Sequence, residues 1–218
     1  MSYIFIHGTG QNESSWDKTV SLLQQPEQKS EQKSEQKAEE FDCPDLWSIL
    51  NGREPTYTNL YRSFADFYRS LPHKINICGL SLGGIIALNY AIDYPEQVES
   101  MVLIAGQYKV PKTIMRLQNL IFRLMPQKAF EPMGMLKKDI IQLLSSMENL
   151  DFRAKLRDIP CKTLVVCGEK DKANKKAAAD LARLIPDTEF KIIEGAGHVV
   201  NEEAPENLAE VLKCFWMR

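Results

Sequence analysis

Short apolar runs of strand length alternate along this chain with longer segments whose apolar residues recur at helical spacing. The runs that predict strands are Tyr3–Ile6, Phe41–Cys43, Ile75–Cys78, Val98–Ile104, Thr163–Cys167 and Glu189–Ile193. Strands that alternate with helices are typical of a parallel sheet covered by helices on both faces. The pattern therefore predicts an α/β three-layer sandwich built on a mostly parallel sheet of about six strands.

Helices are predicted between these runs. The first begins at Ser14, with Asp17 three residues later as the second half of a capping-box-like pair. The others are an amphipathic helix with Leu60, Phe64, Phe67 and Leu71, a nearly all-apolar helix from Ser81 to Ile92, and helices at Ala173–Ile185 and Pro205–Trp216. A nearly all-apolar helix is expected where an element is buried in the middle of a fold.

Between Gln107 and about Pro160 the alternation stops, and helical spacing continues without a strand. The apolar stripes in this segment are Ile114, Leu117, Ile121 and Leu124, followed by Ile140, Leu143, Leu144 and Met147. We therefore divide the chain into a first core segment at residues 1–106, a helical excursion at residues 107–160 and a second core segment at residues 161–218.

A four-residue repeat of charged and polar residues occupies Glu27–Ala38. It has no apolar face, and in a helix its i,i+4 neighbours would carry like charges. We predict that residues 27–40 form a low-complexity surface insertion that is mobile or loosely helical; a functional extension is the alternative.

Composition and charge narrow the class of protein. With 218 residues, 44% hydrophobic and 26% charged, the chain is long enough for one globular domain with a sizeable core. A net charge of −2 without a basic block does not support nucleic-acid binding. The five cysteines, Cys43, Cys78, Cys161, Cys167 and Cys214, form no C-x-x-C pair, which predicts buried free thiols in a reducing compartment.

The N-terminal residues indicate a strand rather than a signal peptide, because no basic segment followed by an apolar one is present. No apolar run approaches the length of a membrane span. We expect a cytoplasmic protein without stable membrane insertion, and we leave its oligomeric state open.

Ser81 lies at the centre of the most informative motif in the chain. The residues Gly79-Leu80-Ser81-Leu82-Gly83 match G-x-S-x-G and lie between a predicted strand and a predicted helix. A serine on so sharp a turn has a strained backbone, and glycine is needed where neighbouring backbone passes close. Its hydroxyl would be exposed above the sheet at the positive end of a helix, the position of a nucleophile. The alternative is a small-residue loop in which Ser81 caps the helix.

A serine hydroxyl needs a general base, and the chain has three histidines. His198 follows the strand Glu189–Ile193 and should project from the carboxyl edge of the sheet, where Ser81 also lies. His73 precedes a strand and should emerge at the opposite edge, while His7 precedes the first glycine loop. We predict that His198 is the base; a structural loop histidine is the alternative.

The base needs an acceptor that holds its tautomer, and two carboxylates follow the strand Thr163–Cys167. We predict that Asp171 orients His198, while Glu169 is a competitor that lies closer to the strand end. Asp171 could instead be the N-cap of the following helix.

The order of Ser81, Asp171 and His198 along the chain resembles that of the α/β-hydrolase fold superfamily. The similarity covers nearly the whole chain. It includes the loop His7–Trp16, the exit Pro44-Asp45-Leu46, the elbow Gly79–Gly84, the turn Gly168–Asp171 and the segment Gly195–His198.

This resemblance implies a catalytic triad of Ser81, His198 and Asp171. It also implies an oxyanion hole made by the backbone N–H groups of Thr9 and Leu82, and a reaction that needs no metal or organic cofactor. The expected function is a serine hydrolase that cleaves small carboxylic esters or thioesters with an apolar group through an acyl-enzyme. The alternatives are C–C hydrolysis, lyase or acyl-transfer chemistry on the same triad, or a ligand-binding or signalling protein with slow turnover.

The resemblance also sets expectations for the rest of the fold. Most family members carry two further strands before the His-Gly loop, so this sheet should end at an edge near Phe41 that is less protected. If the strand order reverses between the first and third strands, a ligand should bind at that switch point. Residues 107–160 lie where the family inserts a helical cap, whose methionines suit an apolar substrate group. The cations Lys109, Lys112, Arg116 and Arg123 form either a solvated face or an attractive surface for an anionic substrate or lipid.

Overall fold

The computed structural model describes residues 1–25, 39–110, 120–128, 130 and 136–216, and within them a parallel sheet forms the centre of the fold. Its strands are β1 (Ser2–Ile6), β2 (Glu40–Asp42), β3 (Ile75–Leu80), β4 (Val98–Ile104), β5 (Lys162–Gly168) and β6 (Thr188–Ile193). They follow the order β2-β1-β3-β4-β5-β6, and every pair is parallel. The predicted six-stranded parallel sheet is confirmed.

Helices connect the strands. They are α1 (Asp17–Leu23), α2 (Leu46–Ile49), α3 (Tyr57–Tyr68), α4 (Leu82–Asp93), α5 (Lys137–Ser146), α6 (Lys175–Leu184), α7 (Val200–Glu203) and α8 (Pro205–Trp216). Short 3₁₀ turns occupy Glu13–Trp16, Pro95–Gln97 and Arg153–Asp158. Residues 120–124 are also helical.

The period of two along each strand divides the core into two buried clusters. Ile4 and Ile6 of β1 belong to a cluster with residues of α3, α4 and α6. Tyr3 and Phe5, on the opposite face, belong to a cluster with residues of α1 and α8. Alternate side chains of a strand point to opposite faces, so a strand buried on both faces must be apolar throughout. The sheet is therefore the middle layer of a three-layer sandwich, as predicted.

The strand order reverses beside β1. The chain passes from β1 outward to β2 and then returns to β3 on the other side of β1. The loops that follow β1 and β3 consequently leave the carboxyl edge in diverging directions, which is the arrangement that provides a ligand site in other parallel sheets. The predicted switch point is present.

Two local predictions about helices are wrong. The first helical turn is capped by Asn12, whose Oδ1 accepts a hydrogen bond from the Ser14 backbone N–H at 3.0 Å. Phe67 is 62% exposed, and Leu71 lies beyond the end of α3. The buried face of α3 is instead formed by Tyr57, Leu60, Phe64, Ala65 and Tyr68.

The excursion at residues 107–160 is partly described. Its second predicted stripe is confirmed, because Ile140, Leu143 and Leu144 of α5 are buried in the same cluster as the sheet. In the first stripe Ile114 and Leu117 lie outside the described residues, and Ile121 and Leu124 are exposed. The boundaries of the excursion and of the two core segments stay a prediction.

The repeat Glu27–Ala38 lies outside the described residues. Glu40 is the first residue of β2, and its N–H donates to the carbonyl of Met1, so the predicted insertion does not extend to residue 40.

All five cysteines are free thiols, but the expectation that they are buried is wrong for two of them. Cys214 is exposed and Cys43 is half-buried. Among the described helices, none is long and apolar enough to cross a bilayer.

Candidate active site

Ser81 occupies a strained turn between β3 and α4. Its φ is 55° and its ψ is −110°, a conformation that costs a residue other than glycine about 1–3 kcal/mol. The turn is closed by Gly79 and Gly83: a Cβ at Gly79 would overlap the Gly83 carbonyl, and a Cβ at Gly83 would overlap the Ile6 carbonyl. The Ser81 side chain makes no capping bond to α4, so the helix-cap alternative does not hold.

His198 and Asp171 are in direct contact. The distance from His198 Nδ1 to Asp171 Oδ2 is 2.8 Å, and the Asp171 carboxylate is buried while the imidazole is partly exposed. In this contact a neutral imidazole carries its proton on Nδ1, and Nε2 makes no hydrogen bond to any of the described residues. Asp171 Oδ1 also accepts from the Asn174 backbone N–H at 3.2 Å, so the carboxylate holds the turn before α6 as well.

Backbone contacts between the loops after β5 and β6 bring these two side chains together. A Cβ at Gly168 would overlap the carbonyl of Gly197, which shows how closely the loops pack. The Lys170 N–H donates to the Ala196 carbonyl at 2.8 Å. Glu169 accepts from the Gly195 N–H at 2.9 Å through Oε2, so this carboxylate anchors the loop instead of orienting His198.

Glu203 holds the backbone on both sides of His198. Its Oε2 accepts from the Gly197 N–H at 2.6 Å, and its Oε1 accepts from the Val199 N–H at 3.2 Å. The sequence predicted no role for this residue, because a glutamate at the end of a short helix is common on a solvated surface.

The β1 loop lies against both Ser81 and the His198 segment. A Cβ at Gly8 would be 3.4 Å from the Cβ of Ser81. Farther along the loop, Gln11 Nε2 donates to Asn201 Oδ1 at 3.1 Å and to Glu202 Oε1 at 2.7 Å. The strand order and these bonds place Ser81, Asp171 and the His198 segment on one edge of the sheet.

Thr9 lies in the loop that follows β1, and Leu82 is the first residue of α4, just after β3. Neither backbone N–H donates a hydrogen bond to any of the described residues. Ser81 Oγ and His198 are likewise not hydrogen-bonded to each other in the described part of the chain. Hydrogen bonds between catalytic groups are often long without substrate and tighten when it binds.

His7 fixes the start of the β1 loop from a fully buried position. Its Nδ1 donates to the Gly8 carbonyl at 2.9 Å, and its Nε2 accepts from the Leu46 N–H at 3.0 Å. Burial lowers the pKa of the imidazole below its usual value, although the Gly8 carbonyl and Asp45 act in the opposite direction. The imidazole is therefore held neutral with both nitrogens occupied. His73 contacts Ser2 Oγ at 2.8 Å at the start of β1, so it lies at the opposite edge, as predicted.

We expect the folded state to lose stability as the pH falls below about 6.5, in part because of His7. The His7 imidazole is protonated at a higher pH in the unfolded chain than in the folded chain. Its protonation therefore lowers the free energy of unfolding at pH 5.5 by at most about 1.4 kcal/mol. Urea unfolding of the wild type and of His7→Gln at pH 7.5 and pH 5.5 checks this: the variant should lose less stability between the two values. His73→Gln is the control for removal of an exposed histidine, and an equal loss in His7→Gln and wild type would contradict the prediction.

Two amides next to the Asp171–His198 pair were not predicted from the sequence. Asn174 Nδ2 donates to both oxygens of Asp171, and Gln107 Nε2 donates to Asn174 Oδ1 at 2.6 Å. Gln107 lies three residues after the end of β4. Its place at the carboxyl edge of the sheet was the one available signal.

A cleft of about 500 Å³ opens beside Gln107 and Ala173. Its other lining residues include Lys109 and Lys176, together with Asp180, which accepts a hydrogen bond from Tyr108. The cleft therefore combines cations with one carboxylate. Among the described residues, no group of three or more His, Cys, Asp or Glu side chains is arranged to hold a metal ion.

Comparison with known proteins gives consistent matches. A family model described as the alpha/beta hydrolase family matches residues 3–211. A Bacillus subtilis (strain 168) protein, whose name proposes the activity of a 2-succinyl-6-hydroxy-2,4-cyclohexadiene-1-carboxylate synthase, is 22% identical over 97% of this chain and 89% of its own. Lipase 1 of Psychrobacter immobilis is 25% identical over 97% of this chain and 75% of its own. A solved thermophilic esterase from Thermogutta terrifontis, with malate bound, superposes with a TM-score of 0.74 at 19% identity, covering 100% of this chain and 89% of its own.

Proposed function

Because the chain belongs to the alpha/beta hydrolase family, we propose that it is a serine hydrolase that cleaves small carboxylic esters or thioesters through an acyl-enzyme. The observation that carries the proposal is the 2.8 Å contact between His198 Nδ1 and Asp171 Oδ2 on the sheet edge that also holds the strained Ser81. A serine with a strained backbone and an imidazole held by a buried carboxylate are characteristic of acyl-transfer sites.

In the proposed reaction Ser81 Oγ attacks the acyl carbon while His198 Nε2 takes its proton. His198 then gives the proton to the leaving alcohol or thiol, and a water molecule hydrolyses the acyl-enzyme with His198 again as the base. Asp171 stabilises the imidazolium that forms both during acylation and during hydrolysis of the acyl-enzyme. The N–H groups of Thr9 and Leu82 would bind the oxyanion, a contribution of about 3–4 kcal/mol per donor in other enzymes.

Two features support a small substrate with an apolar group. The similar proteins include a lipase and an esterase, and both names denote cleavage of esters. The described part of the 107–160 segment exposes the apolar side chains of Leu120, Ile121 and Leu124, which could contact such a group. Lys109 and Lys176 in the neighbouring cleft would accept a second, anionic group on the substrate.

A second candidate is lyase-type chemistry on the same three side chains. It is favoured by the similarity to the Bacillus subtilis protein, whose name denotes a synthase and whose length is 89% covered. In that case the imidazole would act as a base toward a carbon acid instead of activating the serine for acyl transfer.

A fluorophosphonate probe and p-nitrophenyl esters of increasing acyl length test the proposal and separate the two candidates. We expect rapid labelling at Ser81, found by peptide mass spectrometry, together with turnover that is highest for short acyl chains. Labelling accompanied by negligible turnover of every ester would favour the second candidate. Absence of labelling in the folded protein would contradict the role of Ser81 as a nucleophile.

A further inference from the structure

Asn174 makes more contacts with the Asp171–His198 pair than a residue at the start of a helix requires. Its Nδ2 is 2.9 Å from Asp171 Oδ1 and 2.8 Å from Asp171 Oδ2, and it is 3.1 Å from His198 Nδ1. Both Asn174 and Asp171 are buried. The two hydrogen-bond donors, the amide nitrogen and the imidazole nitrogen, therefore meet at the same carboxylate oxygen.

Gln107 fixes which end of the Asn174 amide faces the carboxylate. Gln107 Nε2 donates to Asn174 Oδ1 at 2.6 Å, so the NH₂ end points away from Gln107 and toward Asp171. A carboxylate accepts and cannot donate, which requires the same orientation. The bonds from Gln107 to Asn174 and from Asn174 to Asp171 form a continuous chain from the end of β4 to the carboxylate.

This arrangement opposes a positive charge on His198. By donating to Asp171 Oδ2, the Asn174 amide withdraws negative charge from the oxygen to which His198 Nδ1 also donates. The amide nitrogen is also 3.1 Å from His198 Nδ1, and because both groups are donors they cannot bond to each other. Removing the amide would leave a more basic carboxylate for the imidazolium alone. It would also free the carboxylate to rotate, because two of its four donor contacts would disappear.

We propose that Asn174, oriented by Gln107, is a positioning residue that holds the Asp171 carboxylate and keeps His198 neutral at lower pH than the pair alone would. The consequence for catalysis rests on the proposed function, whereas the consequence for the protonation of His198 does not. Asn174 does not contact a reacting atom and acts only through Asp171 and His198.

The other charged groups around His198 stay in place when Asn174 is changed. Glu203 bonds to the backbone on either side of His198, Glu169 bonds to Gly195, and Glu202 bonds to Gln11. All three are carboxylates, which favour imidazolium in the wild type and in the variants alike. A difference in the protonation midpoint of His198 between the wild type and the variants therefore reports the effect of the Asn174 amide.

The test is an NMR titration of histidine-labelled protein, with the His198 signals assigned from a His198→Gln sample. We expect the midpoint of His198 protonation to rise by about half to one pH unit in Asn174→Leu, because one or two hydrogen bonds to a charged group are lost. Asn174→Asp, which adds a carboxylate at the same place, should raise it further. Gln107→Leu should raise it less, because the Asn174 amide remains but loses its fixed orientation.

Ester hydrolysis provides the second measurement. In Asn174→Leu the acid limb of kcat/KM should move to higher pH by the same amount, and the plateau should fall about tenfold. Asn207→Leu, at an exposed position in α8, is the matched control and should change neither quantity.

A His198 midpoint that is unchanged or lowered in Asn174→Leu would overturn the inference, even if activity falls, because a purely structural defect would loosen the Asp171–His198 contact and would leave the midpoint unchanged or lower it. Should Asn174→Leu fail to fold, Asn174→Ala, which removes the amide without adding a charge, decides by the same criterion. If the wild type hydrolyses no ester, the proposed function fails, and the NMR midpoints still decide the role of Asn174.

Discussion

Ser81→Ala will lower kcat for ester hydrolysis by about four to six orders of magnitude, with a much smaller change in KM. The substitution removes the oxygen that would form the acyl bond, and neither His198 nor Asp171 can replace it. The remaining rate would come from direct attack of water on the ester, with the N–H groups of Thr9 and Leu82 still stabilising the oxyanion. Steady-state kinetics with the best p-nitrophenyl ester measure the loss, and the variant should take up no fluorophosphonate.

Stability measurements separate this chemical effect from a folding defect. Ser81→Gly should also be inactive, yet its free energy of unfolding should rise by about 1 kcal/mol, because glycine adopts the φ of 55° found at this position without strain. Ser70→Ala, at an exposed position after α3, is the control for loss of a hydroxyl and should keep wild-type activity. Retention of a tenth or more of the wild-type kcat in Ser81→Ala would refute the role of Ser81.

The common edge of Ser81, Asp171 and His198 could be predicted because it depends on chain direction alone. Parallel strands all end at the same edge, so any residue that directly follows a strand lies there. The alternation of strands and helices therefore predicted that the three side chains lie on the same edge of the sheet. Glycine at position 79 is needed within the same turn, because a Cβ there would overlap the Gly83 carbonyl, whereas glycine at position 83 is needed because of the Ile6 carbonyl on β1.

The network behind the carboxylate could not be predicted in this way. Gln107 and Asn174 are 67 positions apart, and their bond depends on the rotamers of two side chains on different loops. Asn174 looks in sequence like any residue before a helix, where asparagine is favoured as a cap. Glu203 is similar, because its two bonds to the His198 segment depend on how a four-residue helix turns.

The errors at Ser14 and Phe67 have a related cause. Both predictions relied on spacing within one helix, and spacing fixes the phase of a helix only to within about one residue at its ends. Asn12 and Ser14 are both good caps, and the 3₁₀ turn at Glu13–Trp16 favours the earlier one. Phe67 shares helical spacing with Leu60 and Phe64, but Tyr68 fills the buried position one residue later.

Gly168→Ala should impair both stability and activity, because Gly168 packs directly against the backbone of the loop that carries His198. An added Cβ would overlap the Gly197 carbonyl and lie 2.6 Å from the Ala196 carbonyl, and neither backbone group can rotate away as a side chain could. We expect the free energy of unfolding to fall by about 1–3 kcal/mol. Separation of the two loops by even about 1 Å would disrupt the Asp171–His198 contact and lower kcat at least a hundredfold.

Gly106→Ala provides a matched control at the same edge of the sheet. A Cβ at Gly106 would meet its nearest neighbour, the Cβ of Leu103, at 3.8 Å, which is an ordinary contact. This variant should therefore keep nearly wild-type stability and kcat in the same urea-unfolding and ester assays. If Gly168→Ala matched Gly106→Ala in both, the close packing of the two loops would not be what holds the imidazole against the carboxylate. The side-chain bonds of Glu203 and Asn174 would then have to hold that geometry by themselves.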